Sequence, residues 1–324
     1  MQFSEVEIPV PWGFISGRWY GNQEVRPILA IHGWLDNLGT FDRLIPLLPD
    51  YIGVLCIDLP GHGRSSHLPP GINYGVYDLV YIIPCVVKHF GWNKVSLLGH
   101  SLGGIMSFAY AAMAPDTVDM VISLDVLLPM RVENSLAIEM FSSNQEKLLV
   151  EDDRRRLADK DKKPPSYTLA QMSRNIAVAS LDSVTEDLAH HLLHRQVMKS
   201  QNYSDPDKFY FSRDGRVKYF SYWDIDTGLG VEMARRIGNK PYLILKGTES
   251  LYLQPRSDEV ISILANGNPH FEFHKIEGGT HHLHLQSAEE CARYIVPFIQ
   301  RYRPQEDQSN RENNISFQEQ PSKL

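Results

Sequence analysis

Ser101 lies in Gly99-His100-Ser101-Leu102-Gly103, directly after the apolar run Lys94–Leu98 and directly before the helical run Ile105–Ala114. A serine on a strand-to-helix turn, with glycine two positions to either side, marks a bend too tight for side chains at the flanking positions. Such a bend lifts the hydroxyl out of the sheet, where a base can reach it. The helix that starts there aims unpaired N–H groups at any oxyanion that develops nearby. The chemistry this suits is nucleophilic attack on an acyl carbon, with esters, thioesters, lactones or amides as substrates. A plainer reading of the same residues is a glycine-rich turn whose serine caps the helix.

Several elements must position that hydroxyl. Glu5–Ile8 and Gly13–Tyr20 read as two strands joined at Pro9–Trp12, an antiparallel hairpin. Pro27–Ile31, Ile52–Ile57, Lys94–Leu98, Met120–Leu124, Pro241–Lys246 and Phe271–Ile276 are short apolar runs without alternation. Helices are expected over Phe41–Leu48 with Thr40 as cap, and over Tyr77–His89, Ser101–Ala114 and Ala288–Tyr302. Apolar strands separated by helices imply an α/β fold, a mostly parallel sheet covered on both faces. The stretch from Asp125 to about Gly238 breaks the alternation and reads as a helical insertion over the carboxyl edge of the strands, where ligands bind in such sheets.

A chain of 324 residues accommodates one large domain with an insertion. The net charge of −7 excludes the positive field that a nucleic-acid partner requires. No apolar run approaches a membrane span, and the first residues lack the pattern of a secretory signal. Cys56, Cys85 and Cys291 sit in apolar surroundings with no metal or redox spacing, which suggests free thiols. The chain ends in Ser322-Lys323-Leu324, a peroxisomal address read by an import receptor, after a polar stretch expected to be disordered.

His32-Gly33-Trp34, Asp58-Leu59-Pro60-Gly61-His62-Gly63-Arg64-Ser65, Gly99-His100-Ser101-Leu102-Gly103-Gly104 and Gly279-Thr280-His281 occur in that order. In this the chain resembles the α/β-hydrolase fold superfamily, and the likeness covers nearly everything before the tail. The resemblance implies an eight-stranded sheet, a helical cap inserted after the sixth strand, and a serine nucleophile. It divides the chain into a core of residues 1–125 and 239–302, a cap of 126–238, and a tail of 303–324.

In that fold the base is a late histidine that follows the acid in the chain. His281 is favoured and His282 is the alternative; His284 reads as structural. A metal bound by the three is disfavoured, because they sit too close in one loop and no carboxylate pattern accompanies them. For the acid, Asp125 at a strand end is preferred over Glu249, which precedes Ser250 where relatives often show aspartate; Asp258 lies farther along. Leu102 and Trp34 are the expected oxyanion N–H donors. No cofactor is implied. Aromatic and apolar residues of the cap, including Met140, Phe141, Tyr167, Met172, Tyr210, Tyr219 and Phe220, are candidates for an acyl pocket. Arg154-Arg155-Arg156 is a candidate phosphate contact for an acyl-CoA. The function expected is a serine hydrolase acting on a small acyl substrate. The alternatives are a non-catalytic binding module on the same fold or a carbon–carbon bond hydrolase.

Overall fold

Apolar runs that cannot alternate belong in strands covered on both sides, and Ile28–Ile31, Val54–Ile57 and Val95–His100 are buried at every position. A computed structural model of the chain describes residues 1–156, 165–199, 207–219 and 226–305, the side chains of 154–156 excepted. In it β1 (Phe3–Val10) and β2 (Gly13–Tyr20) form the antiparallel hairpin. The fully buried runs are β3, β4 and β5, and β6 covers Val118–Leu124. β7 (Val197–Lys199) and β8 (Phe209–Phe211) pair with each other inside the insertion. β9 (Tyr242–Gly247) and β10 (Phe271–Ile276) complete an eight-stranded sheet in the order β1-β2-β4-β3-β5-β6-β9-β10. β1–β2 and β2–β4 are antiparallel, and every other pair in that sheet is parallel.

The chain reverses direction across the sheet between β3 and β5, the place where doubly wound sheets open a crevice. Ser101 leaves β5 at that crevice. The end of β3 supplies Gly33 and Trp34 on one side, and the end of β6 supplies Asp125 on the other.

Helices α1 (Val76–Val80), α2 (Ile82–Phe90) and α3 (Leu102–Met113) pack on one face. α4 (Asn134–Arg156), α5 (Leu169–Ala179) and α6 (His190–Gln196) stand in the insertion. α7 (Thr227–Ile237) and α8 (Asp258–Gly267) return to the first face, while α9 (Leu283–Gln286) and α10 (Ala288–Tyr302) cover the second. Each fully buried Leu, Ile or Phe in these layers contributes roughly 1.5–3 kcal/mol.

Two expected helices differ. Phe41–Leu48 is not one α-helix but two 3-10 turns, Leu38–Phe41 and Ile45–Leu47. Pro46 cannot donate to the preceding turn. Asn37 rather than Thr40 is the cap: its side chain accepts from the Gly39 N–H at 2.9 Å. Tyr77–His89 is broken at Tyr81 into α1 and α2, and Pro84 falls in the first turn of α2, where its missing N–H is tolerated.

The insertion is tied to the core by a buried charge network. On α6, Arg195 donates to Asp58 at 3.0 Å, to both Glu5 carboxylate oxygens at 3.0 Å and to Ser16 Oγ at 3.0 Å. Asn37 Nδ2 adds a bond to Leu192 O at 2.9 Å. Ser322, Lys323 and Leu324, like Phe220, lie outside the described residues, and nothing is described of the Arg154, Arg155 and Arg156 side chains.

Candidate active site

The turn at Ser101 is strained in the way its neighbours permit. Ser101 has φ +49°, ψ −117°, a backbone conformation that L-residues avoid. A Cβ on Gly99 would stand 2.3 Å from Gly103 O, and one on Gly103 would stand 2.0 Å from Ile31 O. Glycine is therefore required at both positions by contact with backbone. Leu102 opens α3, so its N–H has no acceptor within the helix.

Asp125 directly follows β6 with φ +58°, a second non-glycine residue in the left-handed region. Its N–H donates to Leu245 O at 2.7 Å. Its carboxylate accepts from Gly247 N–H at 2.9 Å and from the Ser250 hydroxyl. Asp125 Oδ2 also lies 2.7 Å from His281 Nδ1. Burial pushes the Asp125 carboxyl up to about 6, against the lowering by Ser250 and the Gly247 N–H. Burial holds the His281 imidazole well below its ordinary value, and neighbouring His282 lowers it further. A neutral imidazole donating through Nδ1 leaves the Nε2 lone pair for a substrate-side proton. The Tyr252 ring stacks on His281 with centroids 3.6 Å apart and planes 15° apart, which fixes the ring plane.

Ser101, His281, Trp34 and Leu102 line one cavity of 160 Å³. No hydrogen bond joins the Ser101 hydroxyl to His281 in the ligand-free geometry; such bonds often close only when substrate seats. The Trp34 indole donates to Val217 O in the insertion at 2.5 Å. Gly33 runs so close to Ser101 that a Cβ there would lie 2.8 Å from His100 Nδ1 and 3.1 Å from Ser101 Cβ.

The three late histidines diverge. His281 meets Asp125; His282 meets Asp36, with Nε2 3.2 Å from Oδ2; and His284 Nε2 meets Thr40 Oγ1 at 2.9 Å. Glu249 is exposed, and no hydrogen bond or ion pair links its carboxylate to the imidazole. Asp258 opens α8.

A buried group beside Ser101, Asp125 and His281 was not visible in sequence. Asp36, His100 and His282 present three ligand atoms within 4.8 Å of one another. His100 Nε2 donates to His281 O at 3.0 Å, which anchors the loop that carries His281. Its Nδ1 stands 3.2 Å from Asp36 Oδ2 without hydrogen-bond alignment. Burial holds His100 at about 3. The Asp36 carboxyl is held well below the usual range: burial opposes ionisation, but the electrostatic interaction and hydrogen bond with His282 and the close approach of His100 outweigh it. Among the described residues these three could hold a cation; the Ser183 hydroxyl, at 2.6 Å from His282 Nδ1, orients that ring.

Of the cap residues expected in the pocket, the described ones, Met140, Phe141, Tyr167, Met172, Tyr210 and Tyr219, do not line it. Met172 is fully buried inside the insertion, Met140 and Phe141 are largely exposed, and Tyr167 pairs with Phe209. The insertion instead contributes Asn175, Ile176, Ser180, Leu192, Phe211 and Arg213. Alternating cap residues gave no signal that distinguished wall from interior.

A three-layer sheet with a strained serine after β5, an acid after β6 and a histidine after β10 defines a class. Residues 26–288 match the alpha/beta hydrolase fold family, and the chain belongs to it. It is similar to a probable serine hydrolase of Drosophila melanogaster, 33% identical over 92% of this chain and 88% of the relative. It is likewise similar to a serine hydrolase-like protein of Danio rerio, 32% identical over 97% of this chain and 93% of the relative. Among solved structures, a hypothetical protein from Pseudomonas aeruginosa PAO1 has a TM-score of 0.75 at 25% identity, covering 91% of this chain and 99% of that one. A thioesterase domain from the curacin biosynthetic pathway has a TM-score of 0.72 at 20% identity over 92% and 100%, a likeness of fold. Fold and relatives together support a hydrolase.

Proposed function

We propose that the chain is a serine hydrolase that cleaves a carboxylic ester or thioester through an acyl-enzyme. The observation that supports this most is the Asp125–His281 contact of 2.7 Å on the wall of the cavity that holds Ser101. His281 takes the Ser101 proton through Nε2 as Oγ attacks the acyl carbon. Asp125 accepts from Nδ1–H, fixes the tautomer and stabilises the imidazolium that forms. The Leu102 and Trp34 N–H groups receive the oxyanion. His281 then protonates the leaving alcohol or thiol. Water, activated by the same imidazole, attacks the acyl-enzyme and releases the acid. A serine at this position favours acyl chemistry over the epoxide and halide displacements that need a carboxylate nucleophile. The fold likeness to a thioesterase domain keeps thioesters beside esters, by analogy. The peroxisomal reading rests on Ser322-Lys323-Leu324.

Fluorophosphonate labelling tests the activity. Wild-type protein is expected to label, Ser101→Ala to be silent, and His281→Ala to label far more slowly. A panel of p-nitrophenyl esters, acyl-CoAs and diketones assigns the substrate bond. Folded protein that stays unlabelled would indicate the binding module instead, and turnover confined to diketones would indicate carbon–carbon cleavage.

A further inference from the structure

Among the described residues, the buried arginines Arg18, Arg195 and Arg216 each meet a carboxylate, and the half-buried Arg213 does not. Arg195 meets Asp58 and Glu5 at 3.0 Å. Arg216 meets Asp214 at 2.8 Å and Asp152 at 3.2 Å. Arg213 has no carboxylate partner among the described residues, and its Nε is buried with no hydrogen-bond partner there. It lines the cavity that contains Ser101.

Among the described residues, the groups facing Arg213 are uncharged. Its guanidinium lies over the Phe211 ring at 4.3 Å, and the Tyr167 phenol is nearby. The adjacent imidazole of His62 is fully committed: Nδ1 donates to Pro60 O at 2.9 Å, and Nε2 accepts from Leu35 N–H at 3.2 Å. The next residue, Asp214, is spent on Arg216, on the Tyr74 hydroxyl at 2.7 Å and on His67 at 3.6 Å. The other charged side chain on the cavity wall, Asp36, is engaged by His282 and His100. A desolvated cation without an anion is costly, and a guanidinium fork matches a planar carboxylate with two parallel bonds.

We propose that Arg213 is the anion-recognition residue of this cavity, and that the substrate is a short ester or thioester whose acyl chain carries a carboxylate. The inference rests on the hydrolase reading for the bond cleaved, and on Arg213 alone for the charge. The volume of 160 Å³ sets the length. A space of that size holds about one benzene ring, which suits a short acyl chain. Half-esters of small dicarboxylic acids have those dimensions.

Monoethyl glutarate and ethyl isoheptanoate differ in little but charge: an isopropyl end replaces the carboxylate. Their kcat/KM values, measured by pH-stat near neutral pH, give a ratio. In wild-type protein the ratio is expected to favour the glutarate by about tenfold or more, the discrimination of a site built to bond a polar group. Arg213→Gln is expected to bring the ratio near one, and Arg213→Lys to keep an intermediate preference. A ratio near one in wild-type protein, or one unmoved by Arg213→Gln, overturns the proposal. Calorimetric binding of monoethyl glutarate to Ser101→Ala, with and without Arg213→Gln, reads the charge site without turnover. Labelling with a flat ratio removes the anion site and leaves the hydrolase. Arg213-dependent binding without labelling does the reverse.

Discussion

Asp125→Asn separates what the triad acid does for catalysis from what it does to stability. Asparagine keeps the shape, tolerates φ +58° and still accepts from the Gly247 N–H. Its amide nitrogen then faces His281 Nδ1, which must accept. The imidazole proton moves to Nε2, and the ring can no longer take the Ser101 proton. The expected loss in kcat is about 10⁴-fold, with KM little changed. Stability moves the other way. A carboxyl held at about 6 instead of 3.8 is disfavoured when ionised by about 3 kcal/mol. The folded value is raised, so the stability tied to the protonated form is present below the unfolded value and is lost as pH rises through the folded one. The variant escapes that loss. Its melting temperature relative to wild type is therefore expected to climb from about pH 4 to about pH 7 and then level off, by several degrees. Thermal melts across that range, paired with kcat for one activated ester, make the check. A variant that keeps a tenth or more of wild-type kcat, or whose stability difference is flat across that pH range, would refute the reasoning.

Glu249→Gln is expected to leave kcat/KM within about twofold, as exposed carboxylates outside the hydrogen-bond network do; a loss comparable with Asp125→Asn would reassign the acid. Gly33→Ala would place a methyl 2.8 Å from His100 Nδ1 and 3.1 Å from Ser101 Cβ. It is expected to displace the Trp34 N–H and lower kcat by roughly 10²-fold, the cost of an oxyanion donor, as steady-state kinetics on a folded variant would record. Fused behind a fluorescent protein, the chain is expected to enter peroxisomes, and deletion of Ser322-Lys323-Leu324 to leave it diffuse in imaging of the same cells.

Legibility followed the range of the interactions. Gly99 and Gly103 announce the strained turn because their spacing around Ser101 is local, five residues from end to end, although the backbone that Gly103 clears, Ile31 O, belongs to β3. The apolar strands were readable because full burial removes alternation. Pro46 and Pro84 were in plain view, yet periodicity outweighed them, and the helices expected there are interrupted. The acid was a choice between Asp125 and Glu249, because strand-end register decides it and register is a property of the whole sheet. The structure puts Asp125 on the imidazole and Glu249 at the surface. Asp36, Tyr252 and Arg213 gave no signal: each acquires its role from partners dozens to hundreds of residues away. The cavity-lining residues of the insertion were misassigned for the same reason, since aromatic content does not tell which side of a short helix faces the core.

Arg195 has a consequence for how the molecule assembles. Its partners lie up to 190 positions earlier in the chain, and one of them, Glu5, sits on the first strand. The segment carrying α6 thus cannot reach its resting contacts until the opening hairpin and the Asp58 turn are already in place. Pairings of such long reach slow folding. Stripping one partner from a buried pair costs about 3–5 kcal/mol. The roof over the crevice is consequently pinned along its α6 side, and amides there are expected to exchange hydrogen with the slow, global class of the sheet rather than with the surface loops.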